Sequence, residues 1–190
     1  MDREDAWQLL CEFTQNKNLR KHGLAVEAAM REYARHFEKD EERWGITGLI
    51  HDFDYEKFPS EEEHPYKGNE ILEERGWPED IRKAVMGHAD YTGVERDTLM
   101  SKALYAVDEL TGFIIAVALV RPTKSIYDVE VHSVKKKFGQ KAFAKSVDRD
   151  MIYQGIKELG VDQDEHIQRV IKALQNIAPE LGLEGDYKNE

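Results

Sequence analysis

The stretch WGITGLIHDFDYEKFP, residues 44–59, runs an apolar helical segment directly into an adjacent histidine and aspartate. Asp40 opens the segment, and Trp44, Ile46, Leu49 and Ile50 give it a side that must be buried. Phe58-Pro59-Ser60 then ends it in a loop. His51 and Asp52 therefore arrive together at the end of a buried helix. Ionisable groups delivered in this way need partners, because burying them unpaired is costly.

Helical periodicity dominates on both sides, and no alternating run is long enough to argue for a sheet. The spacing predicts a helix over residues 3–14, with Trp7, Leu10 and Cys11 inward, and a break at residues 16–18. A second helix is expected from about 19 to 37, with Leu24, Ala25, Ala28, Ala29 and Ala34 on its packed side. Downstream, His64 begins a helix through Ile71 and Leu72 that Gly76 closes. Pro78 opens PEDIRKAVMGHAD from the proline-favoured start position. Asp97 or Thr98 caps a long helix that holds Asp108 and stops at Pro122. Residues 125–178 read as shorter helices broken near Phe138-Gly139 and at Gly160. The last is capped by Asp162 and striped by Ile167, Val170, Ile171, Leu174 and Ile177. The expected fold class is all-α: one helical bundle spanning 1–190, with a core at about 19–120 and a C-terminal helical extension at about 125–180.

The 190 residues are 41% hydrophobic and 34% charged, enough apolar material for a real core. A formal net charge of -11 argues against broad binding to duplex nucleic acid, which needs Lys and Arg to neutralise phosphates. It leaves a small phosphorylated substrate open, since a metal ion can supply local positive charge. Cys11 is the single cysteine, so no intrachain disulfide forms, which fits a reducing cytoplasm. MDREDAWQLL lacks the long apolar stretch of a secretory signal. LYAVDELTGFIIAVALV, residues 104–120, carries Asp108 and Glu109 and is shorter than the ~20 apolar residues a membrane span needs. A buried core helix is the expectation there.

Four of the seven histidines sit where burial is expected: His22 in LRKHGLAV, His51 in GLIHDFD, His88 in AVMGHAD, and His64 after an acidic loop. Each alone reads more readily as a core histidine satisfied by a hydrogen bond. Asp108 alone could pair with Lys102 or Arg121. The ordered set carries the metal reading. Imidazole and carboxylate together suit Fe, Mn, Ni, Co or Zn. Asp52 has two oxygens and can bridge two ions. The expected arrangement puts His22, His51, Asp52 and Asp108 on one ion, and Asp52, His64 and His88 on the other. Two ions ~3.5–4 Å apart can generate hydroxide and clamp a phosphoryl group. His36, His132 and His166 lie in polar surroundings and read as surface residues.

The order His22, His51-Asp52, Asp108 resembles the HD superfamily of metal-dependent phosphohydrolases. LRKHGLAVEAAM and WGITGLIHDFDYEKFP carry the likeness, and ALYAVDELTGFI is similar to the segment with the family's last aspartate. EHPYKGNEIL followed by DIRKAVMGHAD resembles the two further histidines of the two-metal subgroup. The resemblance covers about residues 19–120. It implies a helical bundle, two divalent transition-metal ions as cofactors, and metal-bound water attacking phosphorus, with Asp52 at the centre. The GYP signature is missing, since PYKGNEIL follows His64, and this argues against a cyclic dinucleotide substrate. The layout is similar to stand-alone bacterial HD hydrolases, including the symmetrical diadenosine-tetraphosphate hydrolases. The expected function is hydrolysis of a small phosphomonoester or phosphoanhydride, with a nucleotide first in line. The same ligand order also resembles the family's mixed-valent diiron oxygenases. A third reading is a metal-stabilised signalling or binding module without turnover.

Lys67, three positions after His64, shares its helix face and is the candidate cation for a phosphate oxygen beside the metals. A solvated lysine is the competing reading. Arg20 and Lys21 are candidates for the entrance. Arg121 lies too far along the helix from Asp108 to reach the ions. Lys135, Lys136, Lys137, Lys141 and Lys145 form either a basic lip or, as favoured, a solvated face.

Overall fold

The computed structural model describes residues 1–185, and among these the chain is all-α. Helix α1 (Arg3–Phe13) starts at a capping box in which Asp2 and Asp5 exchange side-chain and backbone hydrogen bonds. Its buried face is Ala6, Leu9, Leu10 and Phe13. Trp7 and Cys11, expected to point inward, are only half-buried. The face is turned because Phe13 packs edge-on against Phe53, with ring centroids 5.1 Å apart.

Helix α2 (Lys17–His36) starts at Asn16, whose side chain accepts the Asn18 N–H. Helix α3 (Glu41–Ile50) is capped by Asp40. The α2–α3 contact is the most extensive in the molecule. A methyl group on Gly48 would lie 2.9 Å from both Val26 O and Met30 Cγ, so a glycine is what lets the two backbones approach. That approach brings the end of α3 against the first half of α2.

Helix α4 (Tyr66–Glu74) begins two residues later than expected. His64 lies in the turn before it, and Pro65 takes the cap position. Helix α5 (Glu79–Gly87) stops at His88, which is its C-terminal cap. Helix α6 (Leu99–Leu119) is capped by Thr98, whose side chain accepts the Ser101 N–H. It is buried along most of its length, through Leu104, Val107, Leu110, Phe113, Ile114 and Val117, and packs against α2 and α5. Among the described residues no helix is long and apolar enough to cross a membrane.

The later helices are α7 (Val131–Phe138), α8 (Arg149–Leu159), α9 (Gln163–Gln175) and α10 (Ala178–Leu181). Helix α8 packs on α6, and α9 on α2. Asp162 caps α9, whose buried residues include Ile167, Val170, Ile171 and Leu174. His166, expected on the surface, is fully buried. Its sequence neighbours are polar, but the helical period places it on the apolar stripe. Its Nε2–H donates to Ala106 O at 3.0 Å, so its Nδ1 accepts the Tyr33 hydroxyl. Burial pushes the His166 pKa down to about 4. His36 and His132 are exposed, as expected.

Candidate metal centre

Two sets of donors lie side by side: His22, His51 and Asp108 in one, and Asp52, His64 and His88 in the other. Helix α2 supplies His22, the C-terminal end of α3 supplies His51 and Asp52, and α6 supplies Asp108. His64 comes from the turn before α4, and His88 from the end of α5. His22 Nε2 is 2.9 Å from Asp108 Oδ1, and His51 Nε2 is 3.3 Å from the same oxygen. Asp52 divides its carboxylate between the two sets. Its Oδ1 is 3.2 Å from His64 Nε2 and 3.1 Å from His88 Nε2. Its Oδ2 faces His51 Nε2 at 3.5 Å and His22 Nε2 at 3.9 Å.

The orientation of the imidazoles follows from helix ends. The last carbonyls of a helix lack intrahelical partners. His51 and His88 each cap a helix C-terminus and spend Nδ1–H on such a carbonyl, Gly48 O at 2.8 Å and Val85 O respectively. His64 donates Nδ1–H to Asp54 Oδ1 at 2.8 Å. All three rings thus present Nε2 to the interior of the cluster, and in the neutral ring that atom carries the lone pair. His51 Nε2 is buried and has no hydrogen-bond partner among the described residues.

This donor set fits divalent metal ions. His64 Nε2 and His88 Nε2 are 3.2 Å apart, and when both rings are neutral neither holds a proton to share with the other. Two donors each ~2.1 Å from one cation, set at right angles, stand ~3.0 Å apart, close to the separations within this set. Imidazole and carboxylate together select transition metals over Ca or Mg. Without a cation, the carboxylates call protons onto the rings. Burial opposes charge on His51, but Asp52 and Asp108 outweigh it and push its pKa up to about 10. Burial likewise opposes charge on His64, and Asp52 and Asp54 raise its pKa to about 9. Asp52 and Asp108 pay for their burial but are held well below the usual carboxylate range, chiefly by His51.

The cluster lies at the base of an open cavity of about 620 Å³. Side chains of His22 and Asp52 remain 23% and 26% exposed, so the cluster is reachable from that cavity. Above it stand Tyr55, Glu61, Asp90, Tyr91, Glu109 and, from the start of α8, Asp148. Burial and the neighbouring Asp108 raise the Glu109 pKa to about 7.

The cationic candidates lie elsewhere. Lys67 is exposed, pairs with Glu70 at 2.8 Å and does not line the cavity. Arg20 donates to Thr14 O and Cys11 O, tying α1 to α2. Lys21 donates to Leu181 O, and Arg121 to Ser133 Oγ. Lys135 pairs with Asp164, and no lysine of its run lines the cavity. Sequence reading missed Asp54. It is fully buried, accepts the His64 proton and also takes the Gly68 N–H on Oδ2 at 2.9 Å. Its signal was its place in His51-Asp52-Phe53-Asp54, two residues past the doublet.

The family model of the HD domain matches residues 19–112, a span that contains all six clustered donors. No curated protein and no solved structure matches the chain.

Proposed function

Because residues 19–112 make this chain a member of the HD-domain family, a superfamily of metal-dependent hydrolases, we propose that it hydrolyses a small phosphomonoester or phosphoanhydride. The observation that carries this reading is Asp52, which offers one oxygen to each of two donor sets at the base of an open cavity. His22, His51, Asp52 and Asp108 would hold one divalent ion, and Asp52, His64 and His88 the other. Metal ions held there would supply a water of lowered pKa and a clamp for the phosphoryl oxygens.

The protein's own share is preorganisation. Gly48 O, Val85 O and Asp54 fix three imidazoles with Nε2 inward before any ligand arrives. Water adds to phosphorus, the bond from phosphorus to the leaving oxygen breaks, and that oxygen takes up a proton. The whole chain reads as one HD-type domain whose C-terminal helices extend the bundle. Nucleotides are the class that the family likeness puts first. An exposed route from the cavity to the donors favours turnover over a metal-stabilised binding module.

The test is a screen of phosphorylated substrates with added Mn(II), Co(II) or Ni(II), with metal content measured on the same preparation. Release of inorganic phosphate supports the proposal. No release from any substrate, together with two tightly held irons and oxygen consumption, would overturn it in favour of diiron oxygenase chemistry.

A further inference from the structure

Among the residues lining the cavity there is no lysine and no arginine. The lining instead carries carboxylates beyond the donor sets: Glu61, Asp90, Glu109 and Asp148. Asp90 is compensated by Arg96 at 2.9 Å and by the Tyr105 hydroxyl at 2.7 Å. The other three have no cationic partner among the described residues. Glu109 is half-buried, and its Oε2 accepts the Asp148 N–H at 3.2 Å. Two divalent ions in the donor sets would bring four positive charges against the two negative charges of Asp52 and Asp108, a surplus that a phosphate dianion takes up. Beyond them the wall offers only carboxyl oxygens: Glu61 stands without a counter-charge, Glu109 is a half-buried carboxyl whose charge burial opposes, and Asp148 accepts the Asp150 and Met151 N–H groups at the start of α8.

Two aromatic rings complete this wall. Tyr55 and Tyr91 are 41% and 43% exposed and both line the cavity. Each is anchored at His64. The Tyr55 ring meets the His64 ring edge-on at 5.3 Å, and the Tyr91 hydroxyl donates to His64 O at 3.0 Å. An aromatic face attracts a cation through its quadrupole, and carboxylates alongside add direct charge attraction. A second or third phosphate placed against the same wall would be repelled.

We propose that the substrate carries a cationic amine beside a single phosphate, and that Glu61, Glu109 and Asp148 with the rings of Tyr55 and Tyr91 recognise that amine. The proposal rests on the phosphohydrolase reading for the phosphate end, and within small phosphomonoesters and phosphoanhydrides it favours monophosphate esters of amino alcohols over the polyanionic nucleotides. The wall selects, while the donor sets hold the phosphate.

The experiment compares isosteric pairs on the Mn(II)-loaded protein: 2-aminoethyl phosphate against propyl phosphate, and 3-aminopropyl phosphate against butyl phosphate. Affinity is measured by calorimetry and phosphate release in parallel. At least one amine should bind ten or more times tighter than its isostere. In the Glu61→Gln/Glu109→Gln double variant that preference should fall below threefold, with metal content and helical circular dichroism retained. Should that variant fail to fold, Tyr55→Leu and Tyr91→Leu provide a second route, each reducing the preference. Equal affinity within both pairs overturns the amine-binding wall, even if both esters are hydrolysed. A clear amine preference without hydrolysis of any ester keeps the wall and overturns the hydrolase reading instead.

Discussion

His64 and His88 meet Nε2 to Nε2 at 3.2 Å, with both Nδ1 protons committed to other acceptors. Two neutral imidazoles in this position turn lone pairs toward each other, so an added proton or a cation is needed between them. Metal should therefore stabilise the fold. At a hundredfold excess over Kd, one bound ion contributes about 2.7 kcal/mol. For a chain of this size that corresponds to roughly 5–10 °C in Tm. Chelation followed by calorimetry, then re-addition of Mn(II), should show this fall and recovery. An unchanged Tm would count against a resident metal.

Asp52→Ala should reduce bound metal from about two ions per chain to near zero, because each of its oxygens faces a different donor set. His22→Ala and His64→Ala should each lose about one. Elemental analysis of protein purified without chelator reads all three. Full metal content in the Asp52 variant would show that the carboxylate does not bridge.

Asp54→Asn tests a residue that touches no ion. Asp54 accepts from both His64 Nδ1 and Gly68 N, and an amide can accept from only one of them at a time. A methyl group on Gly68 would sit 2.7 Å from Asp54 Oδ2, so the carboxylate has no room to move aside. Loss of such a supporting contact typically weakens metal binding about 10–100-fold. The loss should fall on one of two sites in a metal titration. Equal weakening of both would mean that Asp54 acts on the whole fold.

His166 sets an acid limit on stability. Its pKa falls from 6.5 in the unfolded chain to about 4 in the fold, because burial excludes the charged ring. Between those values the unfolded state binds the extra proton, so stability drops as pH is lowered from about 6.5 to about 4. The full contribution is ~3 kcal/mol. In urea denaturation of metal-free protein this slope is read as the difference between wild type and His166→Gln, since the raised pKa values of His51 and His64 contribute the opposite slope near pH 6.5. His166→Gln should be less stable at pH 7 and flatter over the same window. An identical slope in the variant would assign the acid sensitivity to other groups.

Gly48→Ala should destabilise by about 1–3 kcal/mol, since its new methyl group meets the α2 backbone at Val26 O. The midpoint of urea unfolding reads this directly. A neutral result would show that α2 and α3 can separate without cost.

Most of the helix order was readable from spacing and caps, because Asp40, Thr98 and Asp162 each sit at a helix start with apolar periodicity behind them. The clustering of His22, His51, Asp52, His64, His88 and Asp108 was readable from their order together with the family likeness. Local signals failed where a contact spans the fold. Phe13 on the buried face of α1 meets Phe53, forty residues on, and buried His166 bonds to Tyr33 and Ala106. Lys67 was proposed from its helix face, but a face says nothing of the acid next door, and Glu70 takes the charge. The approach of Asp148 to Glu109 joins residues 39 apart, through the packing of α8 on α6.

The six donors all lie between residues 22 and 108, whereas Ser146, Val147, Asp148 and Met151 on the rim of the cavity come from beyond the segment that the HD model matches. Part of the cavity rim thus lies on a stretch of chain that carries none of the six donors. Substitutions at the rim can accumulate without disturbing the donors, which gives this architecture a route to diversify what it accepts while inheriting the chemistry intact.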